Sequence, residues 1–251
     1  MQMFVIAARE VRSLFLSPLA WSILAVVQII LGLIFASRVA LFMQPEIQSQ
    51  LQGVPGAPGL TDIVVGHVYV WTGIIFLLVS PLLTMRLVSE ERRQNTLPLL
   101  LSAPVSMQSI ILGKYLGLMT FLLIMLAMVT LMPLSLLIGG TLDFGQFFSA
   151  VLGVTLLLAA FSAIGLYIST LTAQPTVAAI GTFGVLLLLW IIDWAGGTDQ
   201  ETPLFAYLSI TNHYQALLRG LFNTEDVIYY ILIIGLFLIL SIHHLDSERV
   251  Q

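Results

Sequence analysis

Six apolar runs, each long enough to cross a bilayer, alternate with short polar segments along the chain, at residues 19–37, 63–83, 110–138, 147–171, 176–194 and 227–245. At 1.5 Å of rise per residue, a helix of about 19 residues reaches roughly 28 Å, close to the thickness of a hydrocarbon core. Backbone groups in lipid must be bonded within the segment, so each run predicts a transmembrane helix. Pro133 is expected to bend the far end of the third. Residues 1–17 follow a different pattern. On a 3.6-residue wheel Phe4, Val11 and Phe15 share one face with Leu14 at its edge, and Gln2, Arg9, Arg12 and Ser13 lie opposite. That arrangement predicts an interfacial helix with its basic face toward anionic headgroups. Two basic residues before an apolar run also resemble a secretory signal. The run exceeds a typical signal core and five more follow, so an uncleaved first span is expected.

The segments between the runs divide into turns, two longer loops and one charged stretch. Residues 43–62 hold three prolines and three glycines and no Lys or Arg, which predicts a loop. Gly139, Gly140, Thr141 and Asp143 form a short turn, and Thr172-Ala173-Gln174-Pro175 an uncharged hinge. Residues 195–225 form a longer polar segment. The charged stretch, residues 86–114, carries Arg86, Arg92, Arg93 and Lys114, four of the nine Lys and Arg residues. Within it, Glu90 to Gln94 continues the second span into water as helix, and Asn95 suits the left-handed conformation that ends a helix. Thr96 can cap a new short helix, with Pro98 tolerated in its first turn. Leu97, Leu99, Leu100 and Leu101 are too few to span and too apolar to stand free in water. Ala103-Pro104 closes the segment before Ser106 caps the third span.

Composition fixes the class. The chain is 59% hydrophobic and 9% charged, with a mean hydropathy of +1.03, against about 25% charged residues in soluble domains. The expectation is an all-α polytopic membrane protein, a single transmembrane domain over residues 1–251. Six spans place both termini on one side, and the basic residues choose it. With the N-terminus inside, seven of the nine Lys and Arg residues are cytoplasmic and only Arg38 and Arg219 are outside. Eight of the thirteen acidic residues fall outside. The net charge of −4 and the absence of a basic patch interleaved with aromatics argue against nucleic acid. With no cysteine, disulfides, thiolate metal sites and cysteine nucleophiles are excluded.

Several chemistries have no residues to carry them. A phosphate-cradling Walker A loop needs a Gly-rich turn ending in Lys-Ser or Lys-Thr, whereas the only lysine sits in Gly113-Lys114-Tyr115 with Gln108 at the position of the first glycine. No Asp, Glu, Lys or Arg falls near the middle of a predicted span, which disfavours an ion-coupled carrier. His67 is expected at the outer interface. His243, His244 and Asp246 are expected as polar tips at the inner one, since adjacent histidines project from different helix faces. Asp193 and Trp194 mark the aromatic belt at the end of span five. Gly113-x-x-x-Gly117, Gly32-x-x-x-Ala36 and Gly165-x-x-x-Ser169 are spaced for close helix approach, within the chain or between copies.

The string SEERRQNTLPLLLSAPVSMQSIILGKYLG, residues 89–117, resembles the signature of ABC-2-type exporter permeases. It shows paired acidic and basic residues, a Thr-Leu step, a Leu-rich turn, Ser-x-Pro-Val-Ser and then Ile-x-Leu-Gly-Lys, with Asn95 where glycine is common and Pro98 where glutamate is common. A second stretch is similar to gliding-motility-type and nitrous-oxide-reductase-maturation-type ABC-2 permeases. It runs through Tyr207-Leu208-Ser209, His213-Tyr214, Arg219-Gly220-Leu221 and Asp226-Val227-Ile228-Tyr229-Tyr230. The resemblance implies a cytoplasmic coupling helix within residues 86–109 and outer-side re-entrant helices within residues 195–225, where Tyr207, His213, Tyr214, Arg219 and Gly220 are the residues to follow. It also implies a non-enzymatic permease subunit that dimerises with itself or a paralogue in the bacterial inner membrane. A separate ABC ATPase, holding ATP and Mg²⁺, would drive export. This chain itself would carry no cofactor. In that reading Glu90, Glu91, Arg92, Arg93 and Thr96 supply polar contacts to the ATPase, and Leu97, Leu99 and Leu100 the apolar plug. The alternative is a mechanotransmitting or scaffold subunit that relays ATPase motion to a periplasmic or envelope partner without moving a solute. A secondary carrier stands third, and the cargo is not legible.

Overall fold

The computed structural model describes residues 2–51, 59–96, 106–138, 142–195 and 207–249, which are helical with no strand among them. Helix α1 spans Gln2–Leu16, α2 Pro18–Phe42 and α3 Pro45–Leu51. A π-helical turn, Thr61–Gly66, leads into α4, His67–Thr84, and α5 is the short Ser89–Arg93. Then come α6 (Met107–Leu134), tightening into a 3₁₀ turn at Ser135–Ile138, α7 (Phe144–Leu171) and α8 (Pro175–Ala195). The short α9 (Ile210–Leu218) and the long α10 (Thr224–Arg249) complete the chain. Six helical segments are long and apolar enough to cross a membrane: those built on α2, α4, α6, α7, α8 and α10. The predicted spans are all present, each extended past its apolar run.

The extensions have identifiable causes. Polar residues at the ends satisfy the first free N–H groups of α6, α7 and α9. Ser106 Oγ accepts from the Ser109 N–H at 3.3 Å, Asp143 Oδ1 from Gly145 at 2.8 Å and Gln146 at 3.3 Å, and Ser209 Oγ from Asn212 at 3.4 Å. Pro18 and Pro175 stand at first helical positions, where a missing N–H costs nothing. Residues 43–62 are not simply a loop. Helix α3 forms within them, Glu46 in its first turn, and span two already begins at Thr61.

Helix α7 is the centre of the bundle. Of its most apolar window 72% is buried, against 17% for α8 and for α10. Small residues permit this. The face of α7 at Gly165 meets Thr84 of α4 so closely that a Cβ there would overlap it, and Gly153 lies against Leu217 of α9. Helix α1 makes the most extensive helix pair of the fold with α6. The Gly113-x-x-x-Gly117 pair is the reason: a Cβ on Gly113 would stand 2.8 Å from Ile6 Cβ, and one on Gly117 would stand 2.5 Å from Glu10 Cβ. The face of α1 that packs on α6 is therefore Met3, Ile6, Ala7 and Glu10. Phe15 does reach the core, edge-on to Phe121 at 5.3 Å, but Phe4 is exposed. Both chain ends lie at one end of the bundle, since Glu10 of α1 and Glu248 of α10 share the charged face described next. This end is called proximal below, and the opposite end distal.

Candidate functional site

The charged stretch folds as an ion-paired mount at the proximal end. Past α4 the chain turns at Met85–Val88, where Ser169 Oγ of α7 accepts from the Val88 and Ser89 N–H groups, each at 3.1 Å, and donates to the Met85 carbonyl at 3.2 Å. Ser89 Oγ donates to the same carbonyl. The single turn of α5 then ends as the sequence predicts. Asn95 adopts φ +56°, Thr96 N–H reaches Glu91 O at 2.9 Å and Asn95 N–H reaches Arg92 O at 3.1 Å. This 6→1 and 5→2 pair is a Schellman closure, in which Asn replaces the more usual glycine. Thr96 Oγ1 adds a third bond to Glu91 O at 3.2 Å.

Two of the four charges in this turn face inward. Glu91 Oε1 accepts from Lys114 Nζ of α6 at 2.8 Å, and Glu10 Oε2 of α1 stands 3.7 Å from the same nitrogen. The Lys114 side chain is only 5% exposed. Two carboxylates at that depth offset the cost of burying the side chain. Arg92 Nη2 lies 2.8 Å from each Glu248 oxygen of α10 and donates to the Thr170 carbonyl of α7 at 2.7 Å. His244 joins the edge of this pair at 3.4 Å from Glu248. The other two charges face outward. Glu90 sits 3.7 Å from Arg86 and accepts from Gln94 at 3.3 Å, while Arg93 is exposed with no ion-pair partner among the described residues. Helix α5 is thus tied to α1, α6, α7 and α10 and presents Glu90, Arg93 and Thr96 outward. Leu97, Leu99 and Leu100 lie outside the described residues, as do Pro98 and Leu101.

The distal end carries the second group of sequence-marked residues. Helix α9 lies across α7 and α8 with Ile210, His213, Tyr214, Leu217 and Leu218 buried. Its final carbonyls are capped from α7: Ser149 Oγ donates to Leu217 O at 2.8 Å and Gln146 Nε2 to Leu218 O at 3.2 Å. Gly220, at φ +78°, lets the chain leave past Gln146, and Arg219 closes the helix with its N–H on Gln215 O at 3.1 Å. His213 Nδ1 is 2.6 Å from Asp226 Oδ1, and its Nε2 is 3.0 Å from the Tyr207 carbonyl. The ring stacks on Tyr229 at 4.0 Å, and Tyr207 meets its edge at 5.7 Å. Tyr214 Oη donates to the Tyr69 carbonyl of α4, Tyr229 Oη to Leu208 O at 2.7 Å and Tyr230 Oη to Ile210 O at 3.0 Å. Four tyrosines and a histidine therefore pin α9 to α4 and α10. All five distal candidates fall in or beside this one assembly.

The family model of ABC-2 family transporter proteins matches residues 4–245. The chain belongs to that family. No curated protein matches it in sequence. Membership makes this ABC-2 chain a membrane component of an ABC transporter, a permease by role, and implies pairing with an ABC ATPase. The mount of this ABC-2 chain includes two residues, Glu10 and Glu248, that sequence reasoning did not single out. Lys114 was visible as a lone lysine opening an apolar helix, and Ser169 as half of a small-residue pair. Glu10 and Glu248 left no local signal, because Glu248 is 156 positions from Arg92 and meets it only through the fold.

Proposed function

We propose that this chain is the membrane subunit of an ABC-2 exporter of the inner membrane, with both termini cytoplasmic, working as a dimer with two copies of a separately encoded ATPase. The observation that carries this reading is the mount. A short turn of helix is anchored by Lys114 to α6 and α1, by Arg92 to α10 and α7, and by Ser169 to α7. Force applied to such a turn reaches four helices at once, which is what transmission from a partner requires. Glu90, Arg93 and Thr96 stand outward for polar contact, and Leu97, Leu99 and Leu100 follow directly in sequence as the apolar plug. Glu91 and Arg92 serve the same docking from behind, by holding the turn in place. ATP and Mg²⁺ belong to the partner ATPase, and this chain supplies no catalytic group. The α9 assembly acts as the outer-side re-entrant element, and its Tyr207–Tyr230 pattern aligns the chain with the gliding-motility and nitrous-oxide-reductase-maturation types.

The test is Leu97→Ala with Leu100→Ala in the chain co-expressed with its ATPase. The double variant is expected to insert normally yet lower coupled ATPase activity and complex recovery by about tenfold or more, as loss of central apolar anchors does at other interfaces. Unchanged complex formation and coupled activity would remove the plug from the coupling role.

A further inference from the structure

A cavity of about 330 Å³ opens at the proximal end between α1, α2, the end of α4, α5 and α6. Its charged lining is balanced: Arg9, Arg86 and Lys114 against Glu10, Glu90 and Glu91. Most of these charges are engaged with one another, Lys114 with Glu91 and Glu10, and Arg86 with Glu90. Two groups are not. Glu91 Oε2 is buried with no hydrogen-bond partner, and Arg9 is exposed with no ion-pair partner among the described residues. A buried carboxylate oxygen without a donor is costly, so a ligand that draws the partly exposed Glu91 carboxylate round to an N–H gains the difference.

Leu82, on the cavity wall, also lines an apolar groove of about 290 Å³ between α2 and α4. The groove continues along Ile23, Val27, Ile30, Leu78 and Ile75, and Ile30, Leu78 and Leu82 are exposed at its edge. From Leu82 to Ile75 it rises about 10 Å along α4, which is roughly two thirds of one leaflet of a hydrocarbon core about 30 Å thick. A charge-balanced pocket that shares the Leu82 wall with an apolar groove has the form of an amphiphile.

The chemistry narrows the occupant. An anionic headgroup would satisfy Arg9 and Arg86 but leave Glu91 Oε2 without a donor. A quaternary ammonium carries no N–H to give it. A phosphate joined to a primary ammonium meets both needs and matches the neutral lining. We propose that a glycerophospholipid with a phosphoethanolamine headgroup binds here, its phosphate at Arg9 and Arg86, its ammonium on Glu91 Oε2 and one acyl chain in the α2–α4 groove. This requires only that the chain sits in a bilayer and is independent of the coupling reading. A lipid so placed lies against the Glu91–Lys114 pair and links headgroup composition to the rigidity of the mount.

The experiment is native mass spectrometry of the full chain in mild detergent, with any co-purifying partner left bound. It is titrated with dioleoyl lipids bearing phosphoethanolamine, phosphocholine or phosphoglycerol. The phosphoethanolamine lipid is expected to be retained about tenfold more tightly than the other two, the scale of one charged hydrogen bond. Glu91→Gln is expected to erase that preference while phosphocholine retention stays the same. Arg9→Gln, at an exposed position, is expected to weaken all three lipids together, since each carries the phosphate. Ile30→Trp, which fills the groove, is expected to weaken all three. Equal retention of the three lipids by the unaltered chain overturns the proposal. So does unchanged retention of the phosphoethanolamine lipid in Arg9→Gln, a result that stands even if Glu91→Gln does not fold. Displacement of the lipid by equimolar glycerophosphoethanolamine overturns it too, since the pocket would then take a soluble zwitterion without using the groove.

Discussion

Lys114 is the only lysine in the chain, and its ammonium sits at the junction of three helices, 2.8 Å from Glu91 and 3.7 Å from Glu10. Removing it leaves two carboxylates facing each other with no counter-charge. Lys114→Met is therefore expected to destabilise the chain by about 2–3 kcal/mol, below the range for a fully enclosed pair because both carboxylates keep some water. Adding Glu91→Gln to it should restore part of the loss, since the uncompensated charge rather than the missing bond dominates the cost. Thermal unfolding of the two variants in detergent, followed by tryptophan fluorescence, checks this. A double variant no more stable than Lys114→Met would show that packing of the lysine stem, not its charge, matters. Arg92 differs in kind, because one guanidinium nitrogen serves both oxygens of Glu248 and the Thr170 carbonyl. The charge segment itself was legible as an island of polar residues between apolar runs, and Asn95 as its stop. Which charges turn inward was not legible, because Glu10, Thr170 and Glu248 come from elements that only packing brings together.

At the scale of elements, the glycines decide which helices touch. The crossing of α1 over α6 depends on Gly113 and Gly117, where an added Cβ would strike Ile6 and Glu10, whereas nothing lies within 4 Å of one on Gly184. Gly117→Leu is expected to lift α1 from α6, and Gly184→Ala to leave the fold untouched. The chain contains no cysteine, so Ile6→Cys gives a single reporter. Its maleimide labelling in detergent should rise about tenfold or more in the Gly117→Leu background, because a helix contact without its small residues loses close packing. Unchanged labelling would mean that α1 is held by its ion pairs alone. The spans themselves were readable from apolar length, since lipid demands it of any crossing helix. Their ends were read in part: the Ser106 cap was legible, whereas Asp143, read only as a turn residue, caps α7 and adds about a turn that hydropathy does not see. The short α3 escaped because prolines and glycines around it mask seven helical residues. The Gly-x-x-x-Gly spacing marked a close contact but did not name its partner, which is the Met3, Ile6, Ala7 and Glu10 face of α1.

At the scale of the whole molecule, charge is divided between the two ends. Arg9, Arg12, Arg86, Arg92, Arg93, Lys114 and Arg249 gather toward the proximal end, while Arg38 closes α2 and Arg219 closes α9 at the distal one. Basic residues near span ends are retained on the cytoplasmic side during insertion, and acidic residues count little. The six-span bundle is therefore expected to insert with its proximal end on the cytoplasmic side. Arg93→Cys and Phe222→Cys, each the sole cysteine of its variant and each exposed, test this directly. In intact cells a membrane-impermeant maleimide is expected to label Phe222→Cys and to spare Arg93→Cys until the membrane is opened with detergent, after which both react. The reverse pattern would place the mount outside, where no cytoplasmic ATPase could reach it, and the exporter reading would fall with it. Labelling of both in intact cells would break the six-span topology instead. The expected pattern leaves the α5 turn and its outward Glu90, Arg93 and Thr96 facing the compartment that holds ATP.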